Sequence, residues 1–189
     1  MPYETEYPWL VKDAVVFLDE FLKDREATVL EFGAGCSTLW FSSRVKKIHS
    51  VEASLRWIHK IEKKVEGSPS DNVRLIHRKG PCYDICDTFP DESFDLVLID
   101  ARDRVKCFNK SVRLIKPGGV LMLDNSERKR YWSALSDALT GSRLKRRGQC
   151  PYKKILPTWE SFSATGPDYA GGFNYPGWET TWWVRPRRQ

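Results

Sequence analysis

Acidic and amide side chains stand at the ends of several apolar runs in this sequence, where their oxygens are available for chemistry. Glu31 lies in VLEF, Glu52 follows KKIHSV, and Asp100 ends DLVLID. A further run, GVLMLDN, ends in Asp124 and Asn125. Such oxygens accept hydrogen bonds, and carboxylates also take up protons and ligate hard cations such as Mg²⁺. These five residues are therefore candidates for ligand binding and for proton transfer.

Two glycines follow the first of these runs, in EFGAGCST. Gly33 and Gly35 suit a tight turn in which bare backbone approaches a ligand. We expect Ser37 or Thr38 to cap the helix that follows. A strand, a glycine turn and a helix start together resemble loops that bind nucleotides or nucleosides.

The composition predicts one folded domain without a membrane span. The chain has 189 residues, 41% of them hydrophobic, and no apolar run approaches the roughly 20 residues that span a bilayer. Its five cysteines are odd in number and lack paired CxxC spacing, so neither a disulfide framework nor a zinc site is indicated. The first residues lack a secretory pattern, and we expect a cytoplasmic protein.

Positive charge is concentrated towards the C-terminal end. Residues 1–125 contain 19 basic and 20 acidic residues, whereas residues 126–189 contain 12 basic and 5 acidic ones. The segment 143–154, RLKRRGQCPYKK, is the densest basic stretch. This asymmetry favours an acidic substrate or nucleic acid, or else a solvated basic face.

Strand-like and helix-like segments alternate as far as residue 141, which predicts parallel strands joined by helical crossovers on both faces of an open sheet. Two later strand-like segments without a helix between them predict an antiparallel pair at one edge. The predicted strands are 27–32, 46–53, 71–78, 93–101, 119–125, 158–165 and 179–186. The predicted helices are 9–23, 37–45, 55–66, 104–115 and 130–141.

The ordered set EFGAGCST, VEAS, GPCYD, DLVLIDA and LIKPGGVLMLDN resembles class I S-adenosylmethionine-dependent methyltransferases. The resemblance implies a single α/β domain over 1–189, with an open, mostly parallel, seven-stranded Rossmann-like sheet and an antiparallel C-terminal edge pair. It also implies an N-terminal helix or lid at 1–24 and a variable substrate-side region at 142–178.

The resemblance further implies S-adenosylmethionine as the cofactor. Glu52 would accept hydrogen bonds from both ribose hydroxyls, and Gly33 and Gly35 would lie against the methionine end. Ala53 would border the adenine, with Tyr83 at its rim. The implied cofactor-binding residues are Glu31, Phe32, Gly33, Ala34, Gly35, Ser37, Thr38, Glu52, Ala53, Tyr83 and Asp100.

A nicotinamide dinucleotide enzyme is the alternative for the same loop. Its fingerprint requires a third glycine where this chain has Thr38, although its ribose-binding acid would match Glu52 equally well. The dinucleotide fold also continues with parallel strands, not with an antiparallel edge pair.

Asp100, Asp124 and Asn125 form the candidate catalytic group. Three hard oxygen ligands at neighbouring strand ends resemble the Mg²⁺ site of cation-dependent O-methyltransferases, in which a metal lowers the pKa of an acceptor hydroxyl. The lysine that this family carries three residues after the first aspartate is Asp103 here. Without a metal, Asp100 would contact the cofactor or act as a base, and Asn125 would cap a turn.

The sequence therefore predicts methyl transfer from S-adenosylmethionine to a hydroxyl of a small-molecule acceptor. A nucleic-acid (RNA) methyltransferase using segment 143–154 is an alternative. A non-catalytic module that only binds the cofactor is a third reading.

Overall fold

A computed structural model describes residues 7–66, 71–128, 130–131, 156–167 and 177–188. The α-helices are α1 (Lys12–Leu22), α2 (Cys36–Ser42), α3 (Leu55–Val65) and α4 (Arg104–Ser111). Short 3₁₀ helices occupy Cys82–Thr88 and Val112–Leu114. The strands are β1 (Thr28–Phe32), β2 (Lys47–Glu52), β3 (Val73–His77), β4 (Phe94–Ile99), β5 (Ile115–Asp124), β6 (Glu160–Gly166) and β7 (Trp178–Val184).

The seven strands of the described residues form one sheet in the order β3-β2-β1-β4-β5-β7-β6. The pairs from β3 to β5 are all parallel, and β7 runs antiparallel to both β5 and β6. The predicted parallel sheet and antiparallel edge pair are therefore confirmed. Among these residues, no helix has the length and apolar character that crossing a bilayer requires.

Alternate residues of the central strands supply two cores, because successive side chains of a strand point to opposite faces. Leu30 and Val97 pack on one face together with α4, through Cys107 and Phe108. Val29 and Leu98 are among the residues that pack on the other face with α1, which contributes Ala14, Val15, Leu18 and Leu22. Burial on both faces explains why β4 reads as a continuous apolar run.

The predicted boundary between α4 and β5 was wrong. The helix expected over 104–115 ends at Ser111, and β5 begins at Ile115 rather than at residue 119. Ile115 pairs with Phe94, and the register then shifts before the next pairs, so the KPGG segment lies inside the strand. At Gly119, a Cβ would lie 2.9 Å from the carbonyl oxygen of Asp95, so the irregular strand needs a glycine there.

The start of α2 also differs from the prediction. Gly35, not Ser37 or Thr38, is the cap residue, and the helix begins at Cys36. The Thr38 hydroxyl accepts a hydrogen bond from the Gly35 N–H at 3.0 Å, so it closes the first turn from inside the helix. Of the helix expected at 130–141, only residues 130–131 are described, and they are helical.

Candidate active site

A large cavity opens beyond the carboxyl ends of β1, β2 and β4, where ligands of open α/β sheets bind. Its volume is about 1290 Å³, and a smaller lobe of about 180 Å³ adjoins it. Gly33, Glu52, Trp57 and Asp100 line both parts. Four residues that are distant in sequence therefore meet at one site, and three of them were candidates from the sequence.

The two glycines of the loop after β1 have different roles. Gly33 has φ +101°, and a Cβ there would lie 2.6 Å from the carbonyl oxygen of Asp100, so the close approach of β1 and β4 requires glycine. Around Gly35 nothing lies within 4 Å of a Cβ position, and its φ of −170° suits any residue. Gly35 lines the smaller lobe, and a side chain there would take up space that is open to a ligand.

Glu31 lies beneath the loop and is fully buried. Its carboxylate accepts hydrogen bonds from the hydroxyls of Ser37, Thr38 (2.5 Å) and Ser50 (2.6 Å). Burial raises the pKa of Glu31 to about 7, although the three hydroxyl donors oppose that rise. Ser37 lines the smaller lobe, whereas Thr38 is fully buried and supports the loop from below.

Glu52 ends β2 at the cavity wall. One of its carboxylate oxygens accepts a hydrogen bond from the Ser54 N–H at 2.7 Å, which fixes the turn into α3. Lys46, a potential partner by sequence proximity, pairs instead with Glu26 at 2.7 Å. Ala53 also borders the larger cavity.

Other lining residues gave no clear signal in the sequence. Trp57, on the first turn of α3, borders both parts of the cavity. Trp9 and Leu10 border the smaller lobe together with Ala34. A tryptophan in an amphipathic helix pattern usually indicates a core position, so Trp57 was not a candidate.

Besides Glu31 and Thr38, two candidates for cofactor binding lie away from the cavity lining. Phe32 is fully buried in the core. The Tyr83 hydroxyl accepts a hydrogen bond from Lys106 Nζ at 3.2 Å, and its ring packs against the core, while Cys82 borders the cavity instead. The segment 82–88 is a 3₁₀ helix, in which adjacent side chains point in different directions. For this reason the side chain of Cys82, and not that of Tyr83, borders the cavity.

The candidate catalytic aspartates meet across a buried arginine. Arg104, whose side chain is 8% exposed, donates hydrogen bonds to the Asp100 carboxylate and to the carbonyl oxygen of Asp124. Its guanidinium also lies 3.6 Å from the Asp124 carboxylate, and its Nε donates to the carbonyl oxygen of Ala101 at 2.9 Å. Arg104 was not a candidate from the sequence, because arginine is rarely buried.

This arrangement does not fit the proposed Mg²⁺ site. A fixed positive charge already contacts both aspartates, and a second cation between them would be repelled. Asn125 has φ +47°, and its carbonyl oxygen accepts the Arg128 N–H at 3.3 Å, which makes it a turn residue. In the portion of the chain that the structure covers, no cluster of three metal-ligating side chains is found.

The two aspartates differ in their surroundings. Asp124 is 6% exposed in its side chain and accepts a hydrogen bond from the Thr180 hydroxyl at 2.8 Å. Burial, reinforced by the charge of Asp100, raises the pKa of Asp124 to about 7. Asp100 borders both parts of the cavity with 37% of its side chain exposed. The partial burial of Asp100 also raises its pKa, and the charges of Arg104 and Arg128 oppose that rise.

Part of the lining of the larger cavity is a basic wall that carries a tyrosine. It consists of Lys79, Arg102, Arg128, Arg130 and Tyr131. The basic segment 143–154 and most of the region 142–178 lie outside the described residues. The basic wall itself nevertheless places positive charge at the cavity.

Comparisons with known proteins agree with this geometry. The profile of a family described as "Methyltransferase domain" matches residues 30–126, about half of the chain. No curated protein sequence matches it.

Similar solved structures include a candidate caffeoyl-CoA O-methyltransferase from Staphylococcus aureus, with 18% identity, a TM-score of 0.61, and coverage of 95% of this chain and 86% of that one. A candidate O-methyltransferase from Klebsiella pneumoniae has 20% identity, a TM-score of 0.61, and coverage of 93% and 81%. An rRNA methylase from Streptococcus thermophilus has 9% identity, a TM-score of 0.62, and coverage of 92% and 96%.

The similar structures show that this chain has their fold, and the family profile shows that the chain belongs to the methyltransferase domain family. The profile runs from β1 to just beyond β5, and so includes the glycine loop, Glu52, Asp100 and Asp124. The protein therefore belongs to this methyltransferase domain family and is a class I S-adenosylmethionine-dependent methyltransferase in fold and family.

Proposed function

We propose that the protein transfers the methyl group of S-adenosylmethionine to a hydroxyl of a compact small molecule. The observation that carries the proposal is the continuity between the cofactor end, at Gly33 and Glu52, and a cavity of about 1290 Å³. Pockets for single ligands are typically about 300–1,000 Å³. The cavity therefore has room for the cofactor and a small acceptor side by side.

The residues at the cofactor end have distinct roles in this proposal. One carboxylate oxygen of Glu52 accepts the Ser54 N–H, and the carboxylate can accept further hydrogen bonds. In this proposal, it accepts them from the ribose hydroxyls. Gly35 leaves space for the methionine end, and Trp57 and Ala53 border the adenine. Glu31 holds the loop through three hydroxyl groups.

Chemistry then requires alignment and the removal of one proton. The acceptor oxygen attacks the methyl carbon in line with the departing sulfur, so walls that exclude water and fix the acceptor contribute most. Asp100 lies between the cofactor loop and the acceptor side, where it contacts the cofactor's amino group or accepts the proton. No step requires a metal, because Arg104 already supplies the positive charge beside Asp100.

Two of the similar structures are O-methyltransferase candidates, which supports the choice of a hydroxyl. The basic wall at Arg102, Arg128 and Arg130 favours a second candidate function, the methylation of RNA. One of the structures with a similar fold is an rRNA methylase, which supports this candidate. Phosphate contacts make nucleic-acid binding weaken steeply as salt rises. Binding of RNA that is lost on raising salt would support this candidate.

The test is formation of S-adenosylhomocysteine in a screen of hydroxyl, amine and RNA acceptors. We expect turnover with at least one small hydroxyl compound and its loss in Glu52→Ala. Turnover only with RNA would replace the small-molecule proposal. Binding of S-adenosylmethionine without transfer to any acceptor would indicate a non-catalytic binding module.

A further inference from the structure

Tyr131 has an unusual environment on the acceptor side of the cavity. Its side chain is almost buried, with the residue 5% exposed, yet it lines the larger cavity together with Gly33 and Asp100. Its hydroxyl oxygen accepts hydrogen bonds from Arg130 at 3.0 Å and from Arg128 at 3.5 Å. The Arg104 guanidinium lies 5.8 Å from the centre of the ring.

The chemistry of these donors limits what the phenol can do with its own proton. A guanidinium group only donates, so the Tyr131 oxygen acts as an acceptor towards both arginines. Within the described residues, no acceptor for its own O–H lies within hydrogen-bond distance. Among these residues, therefore, nothing holds the phenol proton, and two positive charges stabilise the phenolate that remains when the proton is lost.

From this geometry we infer that Tyr131 is the general base that removes the proton from the acceptor hydroxyl, an assignment that rests on the proposed function. The acceptor O–H gives its proton to the Tyr131 phenolate oxygen, and the acceptor oxygen forms a bond to the methyl carbon. The bond between that carbon and sulfur breaks, and its electron pair stays on sulfur in S-adenosylhomocysteine. The Tyr131 proton then passes to solvent.

The electrostatics agree with this role. Burial raises the pKa of Tyr131, but hydrogen bonds from Arg130 and Arg128 and the charges of Arg104 and Arg128 outweigh it, so the pKa lies below its ordinary value. Among the described residues, the charged groups near the ring or its hydroxyl are Arg104 of α4 and, from the same segment as Tyr131, Arg128 and Arg130. The carboxylates of Asp100 and Asp124 lie on this side of the ring too, where they contact the Arg104 guanidinium.

Asp100 is less suited to the same task. Its carboxylate is already held by Arg104 and borders the cofactor loop, so its place is with the cofactor. Tyr131 lines the larger cavity among basic residues and, unlike Asp100, does not border the smaller lobe. We therefore assign cofactor positioning to Asp100 and proton removal to Tyr131.

The first test follows the absorbance of tyrosinate with pH, in the full chain and without any acceptor. We expect one tyrosine to ionise below the ordinary value of about 10. This step should vanish in Tyr131→Phe, move to higher pH in Arg130→Gln, and remain in Tyr7→Phe, which removes an exposed tyrosine. A titration of Tyr131→Phe that coincides with the parent would overturn the inference.

The second test uses whichever hydroxyl acceptor the screen identifies. Tyr131→Phe keeps the packed ring, and we expect it to bind S-adenosylmethionine as the parent does while kcat falls about 100-fold or more. In the parent, kcat should rise with pH through the low step, and in Arg130→Gln this rise should move to higher pH. An unchanged kcat in Tyr131→Phe refutes the assignment, whereas a parent that transfers methyl to no hydroxyl compound refutes the proposed function.

Discussion

Glu31→Gln tests how the buried carboxylate supports the cofactor loop. Glu31 is fully buried and its hydrogen-bond partners are three hydroxyl groups, so in its ionised form it lacks a paired positive charge among these contacts. Its pKa is raised from 4.5 to about 7, mainly by burial. Gln has nearly the same shape and no charge, and hydroxyl groups can either donate to it or accept from it.

The sign follows from proton linkage. Because the folded pKa lies above the unfolded one, the stability that Glu31 contributes is fully present below pH 4.5 and is lost as the pH rises through about 7. Between pH 5 and pH 8 the two pKa values correspond to a loss of about 2.5 kcal/mol in the parent. Glu31→Gln is free of this loss, so its free energy of unfolding should gain about that much relative to the parent.

Urea unfolding at several pH values measures this difference directly. The change with pH, not the constant offset between the two proteins, is the quantity of interest, since the offset also contains altered hydrogen bonds. Glu20→Gln, on the exposed face of α1, controls for the removal of one charge. A difference between Glu31→Gln and the parent that stays flat from pH 5 to pH 8 would refute the reasoning.

Three further predictions concern the loop and the buried arginine. Gly33→Ala should lose at least about 1–2 kcal/mol of folding stability because of its positive φ and the contact with Asp100, whereas Gly35→Ala should fold normally but bind S-adenosylmethionine more weakly in calorimetry. Arg104→Met should lose about 3 kcal/mol in urea unfolding at neutral pH, because Asp124 loses its counter-charge inside the protein. Mg²⁺ and a chelator should change neither the thermal midpoint nor methyl transfer, because the Arg104 guanidinium already lies between the two aspartates that would bind the cation.

Each of these has a clear contrary result. Equal stability of Gly33→Ala and the parent would contradict the close approach of β1 and β4. For Arg104, the control is Lys110→Met, which breaks an exposed ion pair with Asp87 and should cost little stability, because solvent screens that pair. A similar small loss in both variants would contradict the buried role of Arg104. Activation by Mg²⁺ would contradict this account and support the metal site predicted from the sequence.

The sheet could be predicted from the sequence because its strands alternate regularly with helices and each buried strand is a short apolar run. The antiparallel edge pair followed from the missing helix between the last two strands. The start of β5 was wrong because Lys116-Pro117-Gly118-Gly119 is typical of a helix stop. A register shift beside Phe94 instead allows this segment to continue the strand from Ile115.

The candidate site was predictable where backbone geometry determines it. Gly33 and Glu52 follow from strand ends and turn chemistry. The roles of Arg104 and Tyr131 depend on contacts that the folded chain brings about. The sequence around each residue contains no pattern that predicts its role. Arg104 reaches Asp124 across 20 positions, and no spacing rule predicts such a contact.

The most direct measurement is calorimetry of the full chain with S-adenosylmethionine, S-adenosylhomocysteine and NAD. We expect both sulfur compounds to bind and NAD not to bind, with at least a tenfold loss of affinity in Glu52→Ala, which removes charged hydrogen bonds to the ribose. Glu66→Ala, exposed at the end of α3, should bind like the parent. Binding of NAD in place of S-adenosylmethionine, or equal affinities in Glu52→Ala and the parent, would contradict the proposed cofactor site.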